Sequence, residues 1–258
     1  MSVLKRNING HDILALREFI STDAPVTEEE IKHSFFPGDE TNTAISEKLK
    51  LITDALGFLE ETEQIVEEGD GYRLHESAAR APDPKVSILS GLHAQFGENG
   101  AYRDVLEYLA TEDKILANRK DGLEDGMDGY ASDFEWNPTN LRYWERTMDC
   151  LGLIKTVDGD DSTLAFVLEH DLWKRLLEEV CETRTVQLED VLFALNDQYV
   201  PVWTSSRTVA KYVQYGLAGL ETRSEIDLRK ESDAGTTYDI STSHDSKGVN
   251  TIELTTQF

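Results

Sequence analysis

The clearest pattern of apolar and polar positions in the chain is a helix followed by an extended run, in residues 137–156. The apolar side chains of the first part are spaced three and four residues apart, which places them on one face of a helix. They are Leu141, Trp144, Met148 and Leu151. Asn137 before Pro138 is typical of a helix start, and Gly152 predicts the helix end before a strand begins at Leu153.

A similar pattern occurs upstream. Residues 43–56 repeat the helical spacing of apolar positions, and Gly57 follows Leu56 as Gly152 follows Leu151. Two short extended runs then flank the dipeptide Asp70-Gly71, which predicts a β-hairpin.

A third, looser copy lies downstream. Residues 206–218 predict a helix that Gly219 ends, and the runs 225–230 and 236–240 predict a hairpin after it. The β-rich end 241–258 is expected to add an edge strand or to remain loose.

The segments between these copies carry weaker signals. In these segments we expect several helices, one of which starts with a capping box at Thr27–Glu30, and one linker. We also expect an acidic loop that is exposed to solvent, because its acids are not at the spacing that a calcium-binding loop requires. The predicted helices are 11–21, 27–36, 86–96, 102–110, 112–118, 170–182 and 187–199. The predicted linker is 78–85, the acidic loop is 121–129, and 200–204 is expected to replace a second helix in the third copy.

Taken together, these elements predict an α+β, mostly helical chain of three modules. Each would consist of helices followed by a β-hairpin, as in winged-helix domains. The first module spans 1–78. The second spans 79–182 and contains an acidic insertion and a connecting helix. The third and most divergent spans 183–258 and ends in the β-rich tail. A length of 258 residues accommodates modules of this size.

The chain is strongly acidic, with 50 acidic and 25 basic residues and a formal net charge of −25. In a protein that is not adapted to salt, this charge would repel DNA and favour basic partners. In a salt-adapted organism, most soluble proteins are this acidic. We favour the second explanation, because the acids are spread along the whole chain and only 12 residues are lysine.

Signals for catalysis and cofactors are missing from the sequence. The six histidines are not at metal-ligand spacing, and neither a phosphate-binding glycine loop nor a nucleophile elbow is present. Cys150 and Cys181 are expected to be reduced thiols. The sequence therefore predicts a non-enzyme without metal or cofactor. It has neither a membrane-spanning run nor a signal peptide, which predicts a cytoplasmic location.

Basic residues occur at the positions from which a winged helix would contact DNA. They lie on the three predicted third helices and on two of the hairpins, where long cationic side chains reach phosphates or base edges. With one tyrosine, the candidates are Lys48, Lys50, Arg73, Arg142, Tyr143, Arg146, Arg207, Lys211, Arg229 and Lys230. For each residue, the alternative is an ordinary solvated helix face.

The repeated helix, Leu-Gly step and hairpin resemble tandem winged-helix proteins of haloarchaeal type over roughly residues 9–240. The segment 140–146, with Cys150 to Leu153, is also similar to the DpdG-like accessory proteins of DNA-modification and phage-defence gene clusters. This second resemblance implies a non-catalytic subunit that acts on or near DNA, and it assigns no role to individual residues.

Two functions follow from these patterns as expectations. The first is a non-catalytic regulator or accessory subunit that contacts double-stranded DNA and a protein partner in a multisubunit complex. The second is a winged-helix scaffold that binds only proteins, which the acidic surface favours. A homodimer is compatible with either function.

Overall fold

A computed structural model describes residues 10–22, 25–35, 43–81, 83–94, 101–128, 134, 136–157, 160–232, 235–241 and 246–255. The protein is α+β, with helices and small antiparallel sheets. Contacts divide it into two compact units. Unit 1 is Met1–Tyr102 with Asn137–Leu151, and unit 2 is Arg103–Trp136 with Gly152–Phe258. No helix within the described ranges is long and apolar enough to cross a membrane.

The elements follow one another in three similar series. The first is α1 (Gly10–Thr22), β1 (Val26–Thr27), α2 (Glu28–Phe35), α3 (Thr43–Glu61), β2 (Ile65–Glu68) and β3 (Gly71–Leu74). After α4 (Glu76–Arg80) and α5 (Pro84–Ala94), the second is α6 (Ala101–Thr111), β4 (Leu116–Asn118), a π-helical turn (Arg119–Glu124), α7 (Asp125–Asp128), α8 (Pro138–Leu151), β5 (Ile154–Val157) and β6 (Asp160–Phe166). The third is α9 (His170–Val180), β7 (Thr185–Gln187), α10 (Leu188–Gln198), α11 (Lys211–Thr222), β8 (Ile226–Arg229), β9 (Tyr238–Ser241), β10 (Ser246–Val249) and β11 (Thr251–Leu254).

Each series forms a three-stranded antiparallel sheet with the same pairing. The short strand after the first helix pairs with the last strand, which lies in the centre. The strand orders are β1-β3-β2, β4-β6-β5 and β7-β11-β8. In the third series, β9 and β10 form an additional antiparallel ribbon between the two hairpin strands.

The predicted capping box is confirmed at the start of α2. The Thr27 hydroxyl accepts a hydrogen bond from the Glu30 N–H at 3.2 Å, and the Glu30 carboxylate accepts one from the Thr27 N–H at 2.8 Å. Two N–H groups that the helix itself leaves unpaired are thereby satisfied. The Thr27 N–H, together with the Thr27 hydroxyl that donates to the same carboxylate at 2.8 Å, holds the pKa of Glu30 below its ordinary value.

Helices α1, α3 and α8 contribute to the core of unit 1. Trp144 of α8 is completely buried, and its indole N–H donates to the carbonyl of Tyr102 at 2.9 Å. Arg17 of α1 is also buried. Its guanidinium donates to the Gln64 side chain at 3.1 Å and to the Ala78 carbonyl at 2.8 Å. These bonds compensate for the desolvation that lowers the pKa of Arg17.

The first hairpin is confirmed, but its glycine acts differently from the expectation. Glu68 pairs with Gly71, so Gly69 and Asp70 form the two-residue turn, with Gly69 at a φ of +65°. Gly71 begins the return strand, where a Cβ atom would lie 2.8 Å from the carbonyl oxygen of Val26. Gly71 therefore permits the close approach of β1 rather than the turn.

The core of unit 2 surrounds Tyr212, on the buried face of α11. The Tyr212 ring lies 4.1 Å from the Phe166 ring centroid and 6.5 Å from that of Trp173. Its hydroxyl donates to the carbonyl of Pro201. Burial raises the pKa of Tyr212 far above its ordinary value, so the phenol stays neutral and serves as a hydrogen-bond donor.

The glycines near the ends of the three predicted third helices do not all end their helix. Gly152 follows α8 with a φ of +82°, as expected, but α3 continues through Gly57 to Glu61 and α11 through Gly219 to Thr222. Those two helices end instead at residues with positive φ that are not glycine, Glu63 and Ser224. In both, the following N–H bonds back to a carbonyl five residues earlier, as in a Schellman motif.

Three predictions outside the repeated helix and hairpin copies are wrong. The expected linker 78–85 contains the end of α4 and the start of α5. The expected helix 112–118 does not form, and its last three residues are the strand β4, which pairs with β6. The acidic stretch 121–129 is helical as far as Asp128, and it buries Leu123 and Met127 despite its acids. Two further sequence predictions, an entry arm at 1–10 and a turn at 37–39, lie outside the described residues except for Gly10.

The third module also differs from expectation. Strand β8 pairs with β11, not with 236–240, so the chain end supplies the central strand of this sheet. The predicted helix 206–218 begins only at Lys211, and α10 occupies the place of the second helix in the repeated order. Alternating apolar runs predicted these strands but could not choose their partners, because register and pairing depend on tertiary contacts.

Candidate nucleic-acid interface

Helix α8 has one buried face and one exposed face. The side-chain oxygen of Asn137 accepts hydrogen bonds from the N–H groups of Thr139 and Asn140, both at 3.0 Å, which confirms the predicted cap. The predicted apolar residues are all at most 2% exposed. Arg142 and Arg146 are exposed one turn apart, and Tyr143 beside them is half-buried.

The two arginines of α8 differ in their surroundings. The Nε atom of Arg142 makes a long hydrogen bond of 3.4 Å to the carbonyl of Pro138, and it makes no ion pair with the described residues. Arg146 has an interaction partner. Asp149 is exposed within one turn of Arg146, so the exposed face is of mixed charge. This helix can present a guanidinium to an anion.

Only part of the predicted cluster on α3 can be described. Lys50 is exposed and has no ion pair with the described residues. The side chain of Lys48 lies outside the described residues. Among the described side chains of α3, Lys50 is the predicted cation that an anion could reach.

Of the two cations predicted for α11, Arg207 lies outside the helix and Lys211 is paired with a carboxylate. Arg207 precedes the helix, in an exposed turn where its φ is +59°. Lys211, the first helical residue, is bound by Asp113. That carboxylate accepts from the Lys211 N–H at 2.8 Å and lies 2.8 Å from the Lys211 ammonium. Asp113 thereby caps α11 and raises the pKa of Lys211.

The cations predicted on the hairpins are mostly neutralised by neighbouring carboxylates. Arg73 lies 2.8 Å from the Glu68 carboxylate. Arg229 contacts both Asp227, at 2.7 Å, and Glu253, at 2.6 Å. Lys230 is exposed and makes no ion pair with the described residues. These hairpins therefore add little net positive charge.

The β9–β10 ribbon covers part of α11. The Gln214 side chain accepts from the Ser241 N–H at 2.9 Å, and the Lys247 ammonium binds the Glu221 carboxylate. The exposed residues of α11 form a stripe along the helix. Its members are Lys211, Tyr215, Gly219 and Thr222. The cation in this stripe, Lys211, is paired with Asp113.

The sequence interpretation missed a row of aromatic rings in unit 2. Phe193 of α10 lies 5.6 Å from Trp203, and Trp203 lies 5.7 Å from Tyr238, measured between ring centroids. Phe193 is 49% exposed, and the other two residues are half-buried. Acidic residues at helical spacing around Phe193 were a sequence signal for this exposed face of α10. The row itself could not be predicted, because its three aromatic residues are distant in sequence.

The described residues show no arrangement typical of a catalytic metal site. No group of three His, Cys, Asp or Glu side chains among them could hold a metal ion. Cys150 and Cys181 are not joined in a disulfide, and burial raises the pKa of the Cys181 thiol to about 11. A thiol with this pKa is protonated and unreactive at neutral pH.

Comparisons of the chain with protein-family models, with curated proteins and with solved structures give no match.

Proposed function

We propose that the chain consists of three tandem winged-helix modules and acts as a non-catalytic DNA-interacting protein. The first series of elements lies within the predicted module 1–78, and the second lies within 79–182. The third series begins with α9, so we move the start of the third module from residue 183 to residue 170. The modules are supported by the threefold repetition of helix, short strand, two helices and hairpin. The common strand order supports them further, since this order is the one expected of a winged helix. A role in a DNA-modification or defence system is proposed from the sequence resemblance alone.

The observation that carries the DNA proposal is the exposed face of α8. It is the third helix of its series, which is the recognition helix in DNA-binding winged helices. Arg142 and Arg146 lie one turn apart on this face, and Tyr143 can donate a hydrogen bond to a phosphate. Contact would be centred on α8, with Lys50 of α3 as a second point.

The test is a salt series of duplex binding by wild type and by Arg142→Ala/Arg146→Ala. If both guanidiniums contact phosphates, the slope of log affinity against log salt should become shallower by about two. A matched control is Arg80→Ala/Arg184→Ala, which removes the same charge from two exposed arginines elsewhere. Circular dichroism should establish that all three proteins are folded at each salt concentration.

The DNA proposal fails if the α8 variant and the control retain equal affinity, or if the folded wild type does not bind duplex at any salt concentration. Equal losses in both variants would indicate a general charge effect and would also contradict a site on α8.

A second candidate function, a protein-binding scaffold, is favoured by the ion pairs of the other predicted contacts. Arg73, Lys211 and Arg229 are each bound by a carboxylate, so contact with phosphates would require those pairs to break. Co-purification of a stoichiometric partner by wild type, with no duplex binding, would support the scaffold.

A further inference from the structure

The aromatic row Phe193–Trp203–Tyr238 is assembled from three separated parts of unit 2. Phe193 projects from α10, Trp203 belongs to the segment before α11, and Tyr238 begins β9. Trp203 is fixed by a β-bridge to Val209, and the Tyr238 hydroxyl donates to the Glu189 carboxylate at 3.1 Å. The row is therefore held by the fold, although Phe193 exposes half of its surface.

The row is bordered by negative charge. Glu189, Asp190 and Asp197 are four residues before, three residues before and four residues after Phe193, so all three lie on its side of α10. Asp190 and Asp197 are exposed, and Glu189 lies against Tyr238 and Thr236. The fourth neighbouring position at this spacing is Asn196.

Among the described residues, no cation forms an ion pair with Glu189, Asp190 or Asp197. Arg103 donates to the Asn196 carbonyl at 3.0 Å, but its guanidinium is also bound by Glu107. Arg207 lies in the turn beyond Trp203. The Lys230 ammonium lies near Gly248 of β10.

Exposed aromatic rings with neighbouring carboxylates match the chemistry of a cationic side chain. A guanidinium or ammonium is attracted to the face of an aromatic ring, and a carboxylate at the edge can pair with it. Aromatic rings also stack on bases, but a phosphate backbone would be repelled by Asp190 and Asp197. The charge therefore favours a protein segment over nucleic acid.

We infer that the Phe193–Trp203–Tyr238 row with its acidic border docks a basic, arginine- or lysine-bearing segment of a partner protein. This proposal goes beyond DNA contact at α8 and does not depend on it, because different residues in a different compact unit carry it. It gives the acidic chain a way to recruit a positively charged subunit.

The experiment is a fluorescence titration of the full chain with a short peptide of alternating arginine and glycine. Trp203 is half-buried, whereas Trp136, Trp144 and Trp173 are at most 9% exposed, so a change in emission reports mainly on the row. The titration should be made at the lowest salt concentration at which near-ultraviolet circular dichroism shows the protein folded, because salt screens the attraction. The same peptide with glutamine in place of arginine is the uncharged control.

Three variants locate the site. Phe193→Ser should weaken peptide binding by about tenfold or more, because it removes the most exposed ring of the row. Asp190→Asn/Asp197→Asn should weaken binding severalfold and flatten its salt dependence. Tyr215→Ser removes another exposed aromatic, on α11 at 40% exposure, and should change binding by less than about twofold.

Tight binding of the arginine peptide by wild type and the Tyr215 variant, with loss in the other two, supports the proposal. Absence of arginine-peptide binding by folded wild type overturns it, as does equal binding by the Phe193 and Tyr215 variants or equal binding of the glutamine peptide. Preferential binding of a single-stranded oligonucleotide at the same row would also overturn it. Duplex binding in the earlier salt series is a separate readout, so each proposal can fail alone.

Discussion

Asp113 illustrates how one side chain can serve a residue distant in the chain. It adopts a φ of +53° at the end of α6 and caps α11, 98 positions later, through the N–H and the ammonium of Lys211. Sequence spacing made Lys211 a candidate for DNA contact, because the carboxylate that binds it could not be identified from local pattern. A partner this distant is visible only in the tertiary structure.

Two substitutions of Asp113 should distinguish the contribution of its hydrogen bond to the N-terminus of α11 from the contribution of its charge. Asp113→Ala loses both and places alanine at a positive φ, so the free energy of unfolding should fall by about 1–2 kcal/mol. Asp113→Asn keeps a cap acceptor and tolerates this backbone conformation, so the loss should be smaller, below about 1 kcal/mol. Urea denaturation of both variants measures the difference, and equal losses would contradict a capping role.

The capping box should make part of the stability depend on pH. The pKa of Glu30 is lowered in the folded protein by its bonds from Thr27, so the carboxylate stabilises the fold above the ordinary glutamate pKa of about 4.3. That stabilisation should disappear as the pH falls through the lower folded pKa. Wild type should therefore exceed Glu30→Gln in urea midpoint near pH 6, and the gap should close with acid. A gap that widened on acidification would contradict this assignment.

At the scale of elements, helix α11 has two glycines with opposite surroundings. A Cβ atom on Gly219 would have no neighbour within 4 Å, whereas one on Gly216 would overlap with the Trp173 indole. Both lie inside the helix, where glycine is unfavourable relative to alanine. Helix propensity therefore predicts the same effect of alanine at both positions, and only the packing around each glycine distinguishes them.

We expect Gly219→Ala to raise the free energy of unfolding by about 0.5–1 kcal/mol, through helix propensity alone. Gly216→Ala should lower it by about 1–3 kcal/mol, since the added methyl must displace a buried indole. Thermal or urea unfolding of the pair measures both effects in one helix. A gain from Gly216→Ala would show that Trp173 is not packed against α11 as described.

Helix α8 and the first hairpin were the most predictable elements. The buried face of α8, its Asn137 cap and the β2–β3 hairpin are confirmed, because capping chemistry and apolar periodicity act over a few residues. The strand β4 and the pairing of β8 with β11 were predicted wrongly. Short strands carry little local signal, and their partners are chosen by the sheet they complete.

At the scale of the whole molecule, the charge excess should make stability depend on salt. A net charge of −25 opposes the compact state by self-repulsion, which added ions screen. The free energy of unfolding should therefore rise when KCl is increased from low to molar concentration. An equally concentrated zwitterionic osmolyte should reproduce less of this rise. A fall in stability with KCl would contradict both the repulsion argument and the expected salt adaptation.

The candidate interface was only partly predictable at this scale. The sequence placed Arg142, Tyr143 and Arg146 correctly on the outer side of a buried helix, because helical periodicity fixes both faces together. It could not show that Arg73, Lys211 and Arg229 are held by acids, or that β9 lies against α11. Three of the nine predicted cations are thus bound by carboxylates that the sequence interpretation did not assign to them.

The sequence by itself determined helix α8 with its Asn137 cap, the capping box at Thr27, the β2–β3 hairpin and the acidic character, since each depends on residues a few positions apart or on composition alone. Only the tertiary structure decided which strands share a sheet, which cations are neutralised, and that Phe193, Trp203 and Tyr238 lie in one row. Those features join residues tens of positions apart. Their geometry follows from the packing of whole elements, which no local pattern specifies.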